Sequence, residues 1–413
     1  MLWDCRERQN SSGPDEFDFS ARSKLSMLMA TRSTRAGARE PQAIERKALA
    51  AARTGDADAF TRLVEAHRGE LHAHCYRMLG SAYDADDALQ EALLRAWRAI
   101  ARFEGRSSLR SWLYTIATNT CLDQISRRPK RVLPIDYGPA TDPHVPPGVP
   151  VAEAVWLEPY PDQMLGLEDG YAGPEARYEQ REGVELAFIA ALQHLPPNQR
   201  AVLILREVLG FSAKEAAAML GKTVASVNSA LQRARSAVDE RVPERSQQQT
   251  LRSLGDDGVR ELVGRYVDAW ERCDVEAFAA LLTEDATFAM PPLATWYRGR
   301  DGIATWATST SLSGQWRWRT VSTRANGQPA LGFYAWDARQ SAYLPFALNV
   351  LTLRGGAISD VTAFIVRSTD ATEPEAYERF PEQPADLRQL AGRFDRFGLP
   401  RRLTSARGQS GTG

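Results

Sequence analysis

Residues 211–238 read FSAKEAAAMLGKTVASVNSALQRARSAV. Ser212-Ala213-Lys214-Glu215 has the spacing of a capping box and opens a short helix over Ala213–Leu220. Leu220-Gly221-Lys222 forms a tight turn, and Thr223 is placed to cap a second helix. On that helix Val224, Val227, Leu231, Ala234 and Val238 fall along one stripe at helical period. Ser229, Gln232, Arg233 and Ser236 point away from the stripe, with Asn228 and Arg235 at its flanks. Two short helices joined by a glycine turn, the second carrying amide, hydroxyl and guanidinium groups outward, have the geometry that enters a DNA major groove. Asn and Gln match adenine, Arg matches guanine, and Ser serves either a base or a phosphate. A helical hairpin with a solvated polar face fits the same residues.

Upstream, residues 43–131 repeat apolar residues at three-to-four spacing, which predicts a compact helical unit. One of its helices sets a stripe of Ala85, Ala88, Leu89 and Ala92 against an acidic outer face of Asp84, Asp86, Asp87, Gln90 and Glu91. Acids at the start of a helix suit its dipole. The loop Phe103-Glu104-Gly105-Arg106-Ser107-Ser108 then leads into a helix over Leu109–Ser126. Leu109, Trp112, Leu113 and Ile116 share one side of it, and Arg110, Tyr114 and Thr118 share the other, ahead of the basic run Arg127–Arg131. Aromatic, hydroxyl and cationic groups together suit a single nucleic-acid strand, as well as a solvated face.

Between the two units, residues 132–178 hold nine prolines and eight acids. Proline fixes φ and removes a donor, so an extended linker is expected. Trp156-Leu157-Glu158-Pro159-Tyr160-Pro161 is an aromatic cluster unusual for a passive spacer. The helix-turn-helix unit itself spans 179–243. After it, residues 256–367 read as an α+β unit: an amphipathic helix through Leu262, Tyr266 and Trp270, a second helix capped by Asp274, then strand-like runs joined at Asn326-Gly327 and Gly355-Gly356. Residues 1–42 are expected to be disordered, with Met27 and Met29 as rival starts, and residues 368–413 to form a loose tail.

The 413 residues suit two to three domains. A net charge of −1, from 51 Lys+Arg against 52 Asp+Glu, conceals the segregation of sign along the chain. No apolar run is long enough to span a bilayer and no secretory signal is seen, and Cys5, Cys75, Cys121 and Cys273 are scattered without a CxxC pair, so a cytoplasmic protein is expected. His72, His74 and Cys75 do not converge on a helix, so no metal is expected, nor any cofactor.

Three stretches resemble region 2 of the bacterial extracytoplasmic-function sigma factors of RNA polymerase: FTRLVEAHRGELHAHCYRMLGS (60–81), DADDALQEALLRAW (84–97) and FEGRSSLRSWLYTIATNTCLDQISRR (103–128). LQHLPPNQRAVLILREVLGFSAKEAAAMLGKTVASVNSALQRARSAV (192–238) resembles region 4. WLEPYP (156–161) and the trailing α+β unit resemble the subgroup that carries a SnoaL-like C-terminal domain.

The resemblance implies two all-α domains, the second a helix-turn-helix, followed by an α+β cone. It implies RNA polymerase core as partner, through the clamp and flap regions, with Asp84, Asp86, Asp87, Gln90 and Glu91 meeting basic polymerase residues. Promoter DNA is the other implied partner. Phe103, Gly105, Arg106, Ser107 and Ser108 would hold a flipped base of the −10 element, with Arg110, Tyr114, Thr118 and Asn119 beside it. Asn228, Ser229, Gln232 and Arg233 would read the −35 element, and Arg200 would touch a phosphate. The acidic linker is placed near the RNA path, where it would mimic nucleic acid. In the cone, Trp296, Tyr297, Trp306, Phe333, Tyr334, Trp336 and Phe364 are candidates to line a pocket for a small-molecule ligand, with Asp301, Asp337, Arg339 and Asp360 as polar groups. None of the five histidines lies in this unit, no acid–base pair stands out, and a docking or sensing role is expected rather than catalysis. The alternatives are a cone-fold isomerase or cyclase with a DNA-binding appendage, and a one-component ligand-sensing regulator that works without polymerase.

Overall fold

A computed structural model of the chain describes residues 40–148, 150–151, 156–165, 181–366 and 392–404. Four helices build the first unit: α1 (Glu40–Arg53), α2 (Ala57–Leu79), α3 (Ala82–Ala99) and α4 (Leu109–Ile125). Each boundary has a chemical cause. Asp56, Ser81 and Ser108 accept the N–H groups of Ala59, Asp84 and Ser111 at the starts of α2, α3 and α4. Gly80 ends α2 in the left-handed region, at φ 71°. The alanine stripe Ala85, Ala88, Ala92 and Ala96 is buried and lets α3 lie close on its neighbours. α1 begins at Glu40, slightly ahead of the expected boundary; residues 1–39 lie outside the described residues.

A single turn, α5 (Pro134–Tyr137), follows. The second unit comprises α6 (Leu186–Gln193), α7 (Pro197–Leu203), which runs into a wide π turn over Ile204–Val208, α8 (Ala213–Leu220) and α9 (Val224–Asp239). The third opens with α10 (Gln247–Glu271), broken at Gly255, and α11 (Val275–Ala279), capped by Asp274 as expected. β1 (Leu282–Ala289), β2 (Trp296–Arg298), α12 (Arg300–Ser309), β3 (Trp318–Ala325), β4 (Gln328–Asp337), β5 (Ala342–Arg354) and β6 (Ala357–Ile365) complete it. The strands form one six-stranded sheet in the order β2-β1-β6-β5-β4-β3, antiparallel except for β1 beside β6.

Four expectations are corrected here. The two helical units are not held apart: their apolar residues form one continuous core. Arg77 of α2 donates to Gly183 O at 2.8 Å and Gln193 of α6 donates to Arg77 O at 3.2 Å.

The second correction concerns the Pro-rich segment, which is not a solvated tether where it is described. Trp156, Leu157, Tyr160 and Leu165 are buried. Tyr160 stacks near Tyr76 at 4.4 Å, and its N–H and C=O both bond Asn326, at 2.9 and 2.8 Å. Proline withholds donors, but the aromatic rings and the few remaining N–H groups supply enough burial and pairing to dock the segment. Of its acids, Glu158 accepts from Ser81 at 2.5 Å and Asp162 accepts from Gly327 N at 2.7 Å. Glu153, Glu168, Asp169 and Glu175 lie outside the described residues.

Third, the tail is not loose at 392–404. Phe394, Phe397 and Leu399 are buried against one face of the sheet, and Leu403 pairs with Tyr343 through two 2.9 Å hydrogen bonds. Their aromatic and branched side chains bury enough apolar surface to hold an Arg-rich stretch in place.

The expected cone boundary at 256 is also too late, because Gln247–Leu254 is already docked. Gln247 exchanges hydrogen bonds with Leu353, and the buried Glu185 accepts the N–H groups of Gln247 and Gln248 at 3.1 and 2.9 Å. Burial pushes the Glu185 carboxyl from its ordinary 4.5 up to about 8, against the opposing pull of those two N–H groups. The folded state therefore holds a proton here that the unfolded chain has lost, so stability falls as pH rises from about 4.5 towards 8. Glu185→Gln is expected to flatten that fall. Urea midpoints at pH 5 and pH 8.5 test this, and parallel curves for both proteins would remove Glu185 as the cause.

Candidate nucleic-acid interface

On α8 the capping box forms as predicted: Ser212 N donates to Glu215 Oε2 at 2.8 Å and Glu215 N to Ser212 Oγ at 3.2 Å. Gly221 turns the chain at φ 61°, and Thr223 accepts Ser226 N to start α9. Val227, Ala230, Leu231, Ala234 and Val238 are buried, which leaves Asn228, Ser229, Gln232 and Arg233 exposed together on the opposite face. Arg235 is tied back to Glu207 at 2.5 Å and is not part of that face. Val224 leaves the stripe: it is 43% exposed at the first turn of α9. Stripe counting placed it inward.

Arg200 is not free for a phosphate. It is buried, and its guanidinium donates to Met78 O, Gln193 Oε1, Gln193 O and Leu195 O. Burial lowers its pKa to about 10, so it remains charged at neutral pH and bolts the second unit to the first.

The strand-binding candidates divide. Gly105, Arg106, Ser107, Ser108 and Asn119 are exposed. Phe103 is buried against Trp112, with ring centroids 5.0 Å apart, so it supports the loop rather than meeting a base. Ser108 is the cap of α4. Tyr114 and Thr118 are fully buried. Tyr114 meets Phe211 edge-on at 5.4 Å, and Arg110 lies 4.8 Å from the Phe211 ring while pairing with Glu70 at 3.3 Å. Thr118 Oγ1 bonds His74 Nε2 at 2.9 Å, and burial holds His74 neutral, with a pKa of about 3. Phe211 of the helix-turn-helix unit thus covers Arg110 and Tyr114, and His74 of α2 covers Thr118, on the face of α4 that was expected to meet DNA.

The acidic face of α3 divides too. Asp84 is buried between Arg128 and Arg131, with Arg131 Nη2 at 2.6 Å, and is structural. Asp86 hydrogen-bonds His72 at 3.0 Å and forms an ion pair with Arg396 of the tail at 2.6 Å; Arg396 also lies over the exposed Tyr83 ring at 4.1 Å. Glu91 pairs with Arg95 at 2.8 Å. Asp87 and Gln90 remain exposed, and with them Leu94, a 44% exposed apolar residue one turn on, which polar-face reasoning passed over.

In the cone, the twofold alternation of strands sorts the proposed pocket residues. Leu331, Phe333 and Ala335 face the inner core, whereas Tyr334 lies on the opposite face of the sheet with Phe394. Trp336 packs on Tyr343, and Phe364 belongs with Tyr334. Trp296 donates its indole N–H to Gly138 O at 2.8 Å, and Asp360 accepts from Thr287 and Ser359. Of the proposed set, Trp306 and Phe333 line the internal cavity, with Tyr297 stacked behind Trp306 at 5.0 Å.

Three family models match this chain: Sigma-70 region 2 over residues 63–131, Sigma-70 region 4 over 185–238 and a SnoaL-like domain over 263–364. It is 43% identical over 317 residues to the ECF RNA polymerase sigma factor SigG of Mycobacterium tuberculosis (strain ATCC 25618 / H37Rv), covering 76% of this chain and 82% of that protein. The RNA polymerase sigma-E factor of Escherichia coli (strain K12) is 30% identical over 188 residues, 46% of this chain and 88% of its own length. Among solved structures, the extracytoplasmic function sigma factor SigJ of Mycobacterium tuberculosis superimposes with a TM-score of 0.46 at 20% identity, over 78% of this chain and 100% of that one.

Proposed function

The chain belongs to the extracytoplasmic-function RNA polymerase sigma factors, with polymerase core and promoter DNA as partners, and from that premise we propose how its own residues divide the work. α9 enters the major groove of the upstream promoter element. Arg233 takes guanine, Asn228 and Gln232 take adenine, Ser229 takes a base edge or phosphate, and Val224 meets a thymine methyl. Asp87, Gln90 and Leu94 dock on the polymerase clamp. The loop around Gly105–Ser107, with Asn119, receives the melted −10 strand once α8 has moved off Arg110 and Tyr114. The protein acts in the cytoplasm, with the polymerase, as a non-catalytic specificity subunit, and the cone and tail restrain it through Arg396 on Asp86.

The observation that carries the reading is the exposed quartet on α9, displayed by a capped helix whose other face is packed. Run-off transcription from a start site mapped after overproduction tests it. A transcript must depend on both core enzyme and this chain. Promoter protection without core and without transcript would replace this reading with a stand-alone regulator.

Arg233→Ala is expected to weaken promoter binding by ~1–3 kcal/mol and to relax choice at one base pair. Binding measured across a set of single-base promoter variants checks this, and an unchanged preference profile would rule out Arg233 as a reader.

A further inference from the structure

The sheet and helices of the cone form a half-open cavity of about 630 Å³, the size of a small-molecule site. Its wall carries four of the chain's ten tryptophans, Trp270, Trp306, Trp316 and Trp318. No described residue lining it is charged. An ion entering would lose its hydration with no counter-charge to replace it. Three polar atoms on lining residues lack partners: the Nε1–H groups of Trp270 and Trp306, both donors, and Asn349 Oδ1, an acceptor, all on buried side chains. The Trp270 indole sits beside the Tyr266 hydroxyl, which leaves Trp306 and Asn349 for a ligand. The Asn349 amide nitrogen donates to Tyr266 Oη at 3.1 Å, which sets the orientation of the amide. Part of the wall comes from elsewhere in the chain. Pro146, Pro147 and Gly148, between the two helical units, line the cavity, and their segment is fastened to the cone by Thr141 N to Trp296 O (2.8 Å), Gly148 N to Thr295 Oγ1 (2.9 Å) and Val151 N to Pro292 O (3.1 Å).

We propose that this cavity binds an uncharged, ring-bearing small molecule with one hydrogen-bond acceptor and one donor, and that the segment joining the two helical units is part of the site. Aromatic walls stack on flat rings, Trp306 meets the acceptor and Asn349 meets the donor. A molecule seated there touches the segment that connects the two DNA-binding units, so occupancy is transmitted along the chain. The site stands on the lining of this cavity and does not depend on the promoter reading, so transcription assays and the binding assay below fail independently.

The test titrates the full-length protein with N-phenyl-1-naphthylamine, a neutral ring probe with an N–H donor, and with 8-anilinonaphthalene-1-sulfonate, the same rings bearing a negative charge. The neutral probe is expected to saturate at one per chain and to quench tryptophan emission by energy transfer. The sulfonate is expected to bind at least about tenfold more weakly. Ala363→Phe, which fills the cavity, is expected to abolish saturation; should that variant misfold, Asn349→Leu is expected to weaken the neutral probe while leaving the tryptophan wall intact. Hydrogen exchange at Thr141, Gly148 and Val151 is expected to slow when the probe is bound. Non-saturating uptake, equal affinity for both probes, or binding unchanged in a folded Ala363→Phe or Asn349→Leu protein would overturn the site. Unchanged exchange at those three amides would overturn the role of the connecting segment.

Discussion

Asn326→Ala is expected to loosen the packing of the helical units on the cone by about 3–5 kcal/mol, because buried groups on two other segments lose their partners at once. Asn326 sits at the turn between β3 and β4, fully buried, with φ 55°. Its Nδ2 donates to Tyr76 Oη of α2 and to Val184 O ahead of α6, both at 2.8 Å, and its Oδ1 accepts Tyr160 N at 2.9 Å. One side chain therefore joins the first helical unit, the connecting segment and the lead into the second unit to the cone. Alanine strands the Tyr160 N–H and the Val184 carbonyl and adds strain at positive φ. Asn326→Gly separates the two effects, since it relieves the strain and still leaves the polar groups unpaired. Urea midpoints measure the energy, and energy transfer between labels on exposed positions of α3 and α9 measures the opening. Midpoints within experimental scatter of the wild type would show that the junction contributes nothing to closure. In transcription with limiting core, both variants are expected to outperform the wild type, because the strand-binding face under Phe211 is released.

The elements themselves were legible because their signals are local. Asp274 and Ser212 announce their helices by capping chemistry, and the burial of Val227, Leu231, Ala234 and Val238 follows from helical period alone. That period also placed Ser229, Gln232 and Arg233 outward, with Asn228 at the flank of the stripe. What the sequence withheld is which solvent-facing surfaces meet each other. Arg110, Tyr114 and Thr118 share a polar-looking face, and nothing in their spacing reveals that Phe211, about a hundred residues away, closes over it. Arg200 looks like an available cation until its four carbonyl-type acceptors are assembled from two separate stretches of chain, Met78 on α2 and Gln193–Leu195. The pocket set failed for a different reason. Aromatic residues were collected by type, whereas strand alternation sends Phe333 inward and Tyr334 outward, and the Pro-rich segment, read as spacer, supplies part of the cavity wall. Asn326 was read as a turn former; its amide also happens to match three partners that only the tertiary fold brings together.

Phe394→Ala is expected to cost about 3–5 kcal/mol, the usual penalty for emptying a fully buried aromatic site. Phe394 meets Tyr334 edge-on at 5.2 Å and holds the turn that delivers Arg396 to Asp86 and Tyr83 of α3. The same substitution should therefore uncover the α3 face and raise affinity for polymerase core. Arg396→Glu separates stability from masking. It keeps the aromatic packing but sets a like charge against Asp86, replacing an ion pair and a cation–π contact together worth about 1–2 kcal/mol. Its stability, read from the urea midpoint, should fall by at most about 1–2 kcal/mol, well short of the Phe394→Ala loss, while core binding tightens, most visibly at low salt, where the ion pair it removes is least screened. The two variants thus predict different pairs of outcomes: a large stability loss with tighter core binding for Phe394→Ala, and a small stability loss with tighter core binding for Arg396→Glu. Core affinities equal to wild type in both, measured by competition against a second sigma factor, would mean that the tail buttresses the sheet and leaves the α3 face open to polymerase throughout.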